Sequence, residues 1–268
     1  MQNNKYKMIV FDIDGTLLPF GVDELTPRMK EMFVNLKEKG YINVLCSGRD
    51  IFTVGKMIKN PYVDYFVGAN GTFILDLKTN EYIFEKTIKN EDFLEFRKYA
   101  EENNLAFSFV GNKWGYYNEL FDIDHWFYRP FKDKFISEKE FLEKNDKNYL
   151  ITVSSKTPQK LGDDLAKFFK EKKLDMWVLA VWAGGVFLSA NGITKAKGLK
   201  ILGDLLEVSL DEMVAFGDAE NDIEMLEEVG LGIAMGNGED ETKEAANEIC
   251  LPVTEDGPYF KLKEKGFY

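Results

Sequence analysis

Histidine is almost absent: the chain has one, His125, in 268 residues. That excludes multi-histidine metal centres and leaves few histidine-based mechanisms. Cysteine is nearly as scarce. Cys46 and Cys250 are too few for a disulfide scaffold and suit a reducing compartment. No apolar run approaches the length of a membrane span. The polar opening MQNNKYK does not read as a signal peptide, so a cytoplasmic protein is expected. Positive charge is in deficit: 34 Lys and Arg stand against 46 Asp and Glu, a formal net charge of −12. That balance argues against nucleic acid or an anionic membrane surface as a partner. An anionic substrate would need a local positive island. Internal repeats and low-complexity tracts are missing as well.

What is present describes a globular chain, with 45% hydrophobic and 30% charged residues. Its length suits one large domain, or a domain with a substantial insert. The sequence is organised around residues 8–18, MIVFDIDGTLL. It starts as an apolar, β-branched run, the pattern of a strand buried on both faces. Asp12 and Asp14 then follow two positions apart. Alternate strand residues face the same side, so the two carboxylates project together where the strand gives way to Gly15. Like charges held there repel, and a divalent cation would relieve the cost. Thr16 adds a hydroxyl, and Gly15 allows a sharp turn that exposes backbone N–H groups to an anion.

Further along, residues 23–40 read as a helix capped by Thr26, with Met29, Met32, Phe33 and Leu36 as its apolar stripe. A second strand, 42–46, stops at Ser47-Gly48-Arg49, and helix-like sequence runs on to Lys59. A third strand, 64–68, ends at Ala69-Asn70-Gly71. This alternation points to a parallel sheet, with ligands bound beyond the carboxyl ends of its strands. From Thr72 the order changes. A hairpin (72–75 and 81–85) leads into helices at 90–103 and 158–172 and several aromatic-rich strands, an α+β insert with an antiparallel sheet. The parallel pattern resumes after Ser189, with a helix at 198–207, a strand at 212–216 and the turn Gly217-Asp218-Ala219-Glu220-Asn221-Asp222. A strand at 231–235 runs into Gly236-Asn237-Gly238, and 249–253 reads as the last strand. The expected architecture is a doubly wound α/β core over 1–83 and 187–268, with an inserted α+β cap over 84–186.

Four features fall at strand ends of one sheet, in this order: Asp12 with Asp14, Ser47-Gly48-Arg49, Lys195 before a helix, and Asp218 with Asn221 and Asp222. Together they resemble the haloacid dehalogenase superfamily of phosphohydrolases, and within it the Cof-like branch with an α/β cap (subclass IIB). The resemblance runs nearly end to end and includes Asp256-Gly257. It implies a phosphatase of small phosphorylated metabolites, sugar phosphates favoured, that uses Mg2+. By that resemblance Asp12 is the nucleophile that forms an aspartyl-phosphate, and Asp14 is the general acid and then the base. The implied ligands of Mg2+ are the Asp12 carboxylate, the Asp14 backbone carbonyl and the Asp218 carboxylate, with Asp222 holding metal-bound water or Lys195. Ser47, the Gly48 and Ile13 N–H groups, Thr16 and Asn221 are the implied phosphate contacts, and Lys195 supplies charge to Asp12 and the phosphoryl group.

Other residues admit more than one role. Arg49 either touches substrate or ties a carboxylate behind the site, and the second is preferred because arginine's rigid fork often joins loops. Asn70 is a turn residue that the family places at the rim facing the cap, where it could contact substrate. His125 reads as a surface residue. Trp114, Tyr116, Tyr117, Trp126, Phe127 and Tyr128 read as cap core, with one or two lining a pocket. Cys46 reads as buried and inert. A sugar phosphomutase and a sugar-phosphate sensor without catalysis remain as rival readings.

Overall fold

Met8, Ile9, Val10 and Phe11 are all fully buried, so strand β1 (Met8–Phe11) lies inside a sheet covered on both faces. This is the computed structural model of the chain, and it describes residues 5–125, 128–144 and 146–268. Trp126 and Phe127 lie outside the described residues. After β1 come β2 (Ile42–Cys46), β3 (Tyr65–Gly68), β4 (Phe73–Asp76) and β5 (Glu81–Glu85). A second group follows: β6 (Ala106–Val110), β7 (Gly115–Tyr117), β8 (Phe135–Ser137), β9 (Leu150–Ser154), β10 (Met176–Trp182) and β11 (Gly185–Ala190). Strands β12 (Met213–Gly217), β13 (Leu231–Ala234) and β14 (Glu248–Ile249) come last.

These strands build two sheets in two compact units. The first unit runs to Arg49, resumes over Val54–Phe84 and again over Thr194–Tyr268. Its eight strands are ordered β14-β13-β12-β1-β2-β3-β4-β5. From β14 to β3 all neighbours are parallel, and β4 then adds antiparallel to β3. Parallel pairing sets the carboxyl ends of β1, β2, β3, β12 and β13 along one edge. The helix Pro27–Glu38 shows how the sequence positions its cover. The Thr26 hydroxyl accepts from the Met29 N–H at 3.2 Å, Pro27 begins the first turn, and Met29, Met32, Phe33 and Leu36 are the buried stripe.

The second unit comprises Asp50–Thr53 and Glu85–Ile193. Its sheet is ordered β10-β11-β9-β6-β7-β8. Strand β11 pairs with β9 and β10, which carries this unit to Ile193. One sheet face buries Phe107, Phe109, Tyr116, Ile151, Val153, Val186 and Leu188 against the helices Asn90–Glu102 and Pro158–Lys172. Of the aromatic residues expected in that core, Tyr116 is fully buried and Trp114 packs against it, while His125 is exposed.

Several expectations are corrected. The helix expected before Lys59 is a run of turns with a single short 3-10 helix, Met57–Lys59. The Asp50 carboxylate draws the Phe52 and Thr53 N–H groups to itself (2.7 and 3.1 Å), and Gly55 takes a φ of +63°, so the backbone is spent on a turn. The second sheet is not wholly antiparallel, because β8 joins β7 in parallel. The last strand is Glu248–Ile249 rather than 249–253. A helix not read from the sequence, Gly257–Glu264, follows it, with Pro258 in its first turn and Asp256 left-handed before it (φ +54°).

Candidate active site

The polar residues singled out above gather at the carboxyl edge of the first sheet. Just past β1, the Ile13 carbonyl accepts from the N–H groups of Thr16, Leu17 and Leu18 (3.3, 2.9 and 2.8 Å), which folds the chain into a tight loop. Gly15 sits in that loop with φ +79°. A Cβ there would come within 2.0 Å of the Asp218 carboxylate, so only glycine lets the loop after β1 close onto the loop after β12. The Thr16 hydroxyl seals the junction by donating to Asp218 Oδ1 at 3.0 Å. It faces that carboxylate and is fully buried.

Lys195, at the start of the Lys195–Leu206 helix, is 1% exposed and lies between two carboxylates. Its ammonium donates to Asp12 Oδ1 at 2.6 Å and to Asp222 Oδ1 at 2.7 Å. Asp222 Oδ2 accepts from the Asp218 and Ala219 N–H groups (3.0 and 3.2 Å), so both Asp222 oxygens are engaged in holding Lys195 and the Asp218 loop. Burial pushes the Asp12 carboxyl up. Lys195 opposes that push, Asp222 and Asp218 add to it, and the net direction is upward. Burial pulls the Lys195 ammonium down, but Asp12 and Asp222 outweigh it and keep the amine charged. Burial and then the Asp222 charge lift Asp218 to about 7, against the Thr16 hydrogen bond.

Among the described residues, Asp12, Asp218 and Asp222 bring carboxylate oxygens within 4.8 Å of one another. Three buried carboxylates face one ammonium, so the cluster lacks positive charge. A hard divalent cation suits this set, because all its donors are oxygens and no histidine or thiol stands among them. The buried triad of Asp12, Asp218 and Asp222 could hold one.

The loops after β2 and β3 form the other wall. Ser47 is 1% exposed, and its hydroxyl accepts from the Arg49 N–H at 3.2 Å. The Asn70 N–H donates to the Ser47 carbonyl (3.0 Å) and the Ala69 N–H to the Arg49 carbonyl (2.8 Å). Asn70 is left-handed (φ +56°) and buried, and its Oδ1 accepts from the Asn221 side chain at 2.9 Å. A Cβ on Gly48 would lie 3.3 Å from the Asn70 amide nitrogen, so Gly48 lets the two loops approach. Arg49 pairs with a carboxylate, and that carboxylate is Asp14 itself. Nε donates to Oδ2 at 2.7 Å and Nη2 to Oδ1 at 2.6 Å. Cys46 is fully buried, and burial pushes its thiol up.

Sequence reasoning passed over Asn237. Its side-chain amide donates to the Gly15 carbonyl at 2.9 Å, and its oxygen accepts from the Val253 N–H at 2.7 Å, so it pins the loop that carries Asp14. The signal was an asparagine between two glycines at a strand end, which also reads as an ordinary turn.

Residues 9–260 match the family of haloacid dehalogenase-like hydrolases. The chain belongs to that family. Two relatives of this hydrolase are curated phosphatases. One is the 5-amino-6-(5-phospho-D-ribitylamino)uracil phosphatase of Bacillus subtilis, 27% identical over 260 residues, which cover 94% of this chain and 92% of the relative. The other is a phosphoglycolate phosphatase of Methanosarcina acetivorans, 28% identical over 266 residues, covering 94% and 93%. In fold, the hydrolase is similar to the solved structure of a sugar phosphatase of HAD subclass IIB. That likeness has a TM-score of 0.81 at 23% identity and covers 98% of this chain and all of that one.

Proposed function

We propose that this hydrolase is a Mg2+-dependent phosphatase of small phosphorylated metabolites, sugar phosphates favoured, working through an aspartyl-phosphate on Asp12. The observation that carries the reading is the buried Asp12–Lys195–Asp222 arrangement beside Asp218, with Asp14 two residues beyond Asp12. The named relatives, which act on phosphate esters of small molecules, support the substrate class.

The chemistry follows from charge. A phosphoryl dianion is repelled by a carboxylate nucleophile unless positive charge is fixed beside both. Lys195 supplies one such charge, and Asp222 keeps it in place. The Asp12 and Asp218 carboxylates and the Asp14 backbone carbonyl would hold Mg2+, which would supply the rest of the positive charge. Asp12 attacks phosphorus, and the ester bond to the leaving oxygen breaks. Asp14 gives that oxygen a proton, then takes one from the water that attacks the aspartyl-phosphate, releasing phosphate and restoring Asp12. Ser47, the Gly48 and Ile13 N–H groups and Asn221 hold the phosphoryl oxygens, with Asn70 orienting Asn221. Thr16 steadies Asp218. The second unit selects the leaving group.

The two carboxylates are separated by a trapping experiment. p-Nitrophenolate departs without a proton, so Asp14→Asn still phosphorylates but lacks the base for the second step. Mixed with p-nitrophenyl phosphate and Mg2+ and quenched in acid, Asp14→Asn should accumulate one phosphoryl group by intact-mass spectrometry. Wild type should show little, and Asp12→Asn none. An adduct on Asp12→Asn, or one mapped to Ser47 or Thr16, would overturn the assignment. So would a wild-type enzyme that releases no phosphate with Mg2+ present.

A further inference from the structure

The turn after β13 carries an inference that deepens the phosphatase reading and rests on its Mg2+ site. Three bonds fix this turn between two loops of the site and the C-terminal segment. The Glu239 N–H donates to the Asp218 carbonyl at 2.9 Å, so the turn grips the loop that carries Asp218. The Asn237 amide donates to the Gly15 carbonyl at 2.9 Å, so the turn also grips the loop that carries Asp14. The Asn237 oxygen accepts from the Val253 N–H at 2.7 Å, which orients the amide from its other side. All of these residues belong to the first unit.

Asn237 holds the loosest point of that loop. Gly15 has a φ of +79° and no side chain to restrain it. The peptide before it contains the Asp14 carbonyl, an implied ligand of the cation, and the N–H of that peptide is tied to the Leu18 carbonyl at 2.8 Å. The peptide after it is the one tied to Asn237. With both peptides held, the Gly15 dihedrals are held, and the Asp14 carbonyl keeps one direction relative to the Asp218 loop. The Thr16 hydroxyl ties the same two loops, but through side chains that can rotate. Cations differ in what they ask of such a cradle. Mg2+ needs near-octahedral oxygens at about 2.0–2.1 Å, whereas Ca2+ accepts six to eight less regular ones at about 2.3–2.6 Å. A fixed cradle therefore suits the smaller ion, and a loosened one loses it first.

We propose that Asn237 is a positioning residue that sets the cation selectivity of the site. It holds Gly15 against the Asp218 loop, the Val253 N–H holds Asn237, and the pair keeps the cradle at the size of Mg2+ rather than Ca2+. Asn237 touches neither the cation nor the phosphoryl group and acts through the Asp14 carbonyl. Its side chain is exposed, so water can take the place of its amide and the fold should survive its loss.

The test is calorimetric titration of the metal-free protein with Mg2+ and with Ca2+, which reads binding without turnover. Asn237→Ala should weaken Mg2+ about tenfold, the low end for losing a group that supports a metal ligand, and Ca2+ by about threefold or less. Val253→Pro deletes only the N–H that holds Asn237. Pro252 before it is extended (φ −59°, ψ 159°) and Val253 opens a short 3-10 helix, so proline fits there. It should lower the preference for Mg2+ over Ca2+ in the wild-type background and leave it unchanged in Asn237→Ala, because the two act in one chain of contacts. Val253→Ala keeps the N–H and should bind both ions as wild type does. If Asn237→Ala does not fold, Val253→Pro against Val253→Ala decides alone. An unchanged preference in Asn237→Ala, or equal weakening of both ions, would overturn the proposal and leave the phosphatase reading standing. A Val253→Pro effect that persists in Asn237→Ala would overturn the link to the C-terminal segment. Wild type that binds neither ion would overturn the proposal and the Mg2+ site together.

Discussion

Lys195 in the first unit and Phe109 in the second are each 1% exposed. The Phe109 ring is ringed by Phe93, Tyr116 and Phe141, with centroids 4.6, 4.8 and 5.0 Å away. Burying it removes apolar area from water, and any close-packed apolar neighbours would serve. Burying the Lys195 ammonium is costly unless charge is matched around it, and the match is specific: Asp12 on one side, Asp222 on the other. Equal burial therefore has opposite meaning. The aromatic interior holds the second unit together with little demand on identity. The charged cluster adds little to stability, and under the proposed function it has a place in the fold because of what it does to an anion brought beside it.

Truncation should break that comparison in two directions. Lys195→Ala removes the charge that offsets two buried carboxylates. Turnover should fall by about two or more orders of magnitude. The metal-free protein should also lose roughly 3–5 kcal/mol, the scale for leaving a buried charge unpaired. Added Mg2+ should recover part of the stability and not the rate. Kinetics and denaturant titration with and without metal read both effects, and normal turnover would remove Lys195 from the chemistry.

Phe109→Ala should cost about 3–5 kcal/mol through the cavity it leaves, with the rate per folded molecule unchanged on p-nitrophenyl phosphate. Denaturant unfolding measures the first and gives the folded fraction, and turnover divided by that fraction measures the second. A large rate loss with stability intact would mean that the ring is tied to the chemistry.

The same contrast explains what could be read from the chain. Asp12 was legible because the run before it, Met8–Phe11, is apolar on both faces. The strand ends there, so alternation does not carry on to Asp14, which turns to Arg49 while Asp12 turns to Lys195. The Pro27–Glu38 helix was legible from equally local signals, since its stripe and cap lie within a few residues of one another. Asp218 and Lys195 were legible as motifs with a recognisable order. What was lost depends on distance in sequence. Arg49 meets Asp14 across 35 positions and Asn237 meets Gly15 across 222, and nothing in the spacing announces either contact. The turns before Met57 were misread because Asp50 competes for the backbone that a helix would use. β8 was missed because a strand of three residues that joins its neighbour in parallel carries no period long enough to see.

The charged cluster should also respond to pH where the aromatic interior does not. In the metal-free fold Asp218 rises from 3.8 to about 7, chiefly through burial and then through the Asp222 charge. The folded state therefore binds more protons than the unfolded chain between those two values. Stability must fall as pH rises through that window and level off above about 7. Below 3.8 both states are protonated and the penalty vanishes. Each tenfold change in proton affinity is worth about 1.4 kcal/mol, so the full penalty is on the order of 4 kcal/mol. Carboxyls whose affinity the fold lowers, such as Glu24 and Glu212, act in the opposite sense and mostly below this window. The term is isolated by comparing wild type with Asp218→Asn in EDTA at pH 5 and pH 8. Wild type should lose stability between the two. Asp218→Asn, whose side-chain oxygen can still accept from Thr16, should lose less by the Asp218 share alone, because Asp12, Asp50, Asp92 and Glu138 are raised in both proteins. Mg2+ should stabilise wild type more at pH 8 than at pH 5, because the cation binds the ionised carboxylate and competes with the proton. Parallel losses in the two proteins would place the titrating group elsewhere. Equal Mg2+ stabilisation at both pH values would mean that Asp218 does not hold the cation.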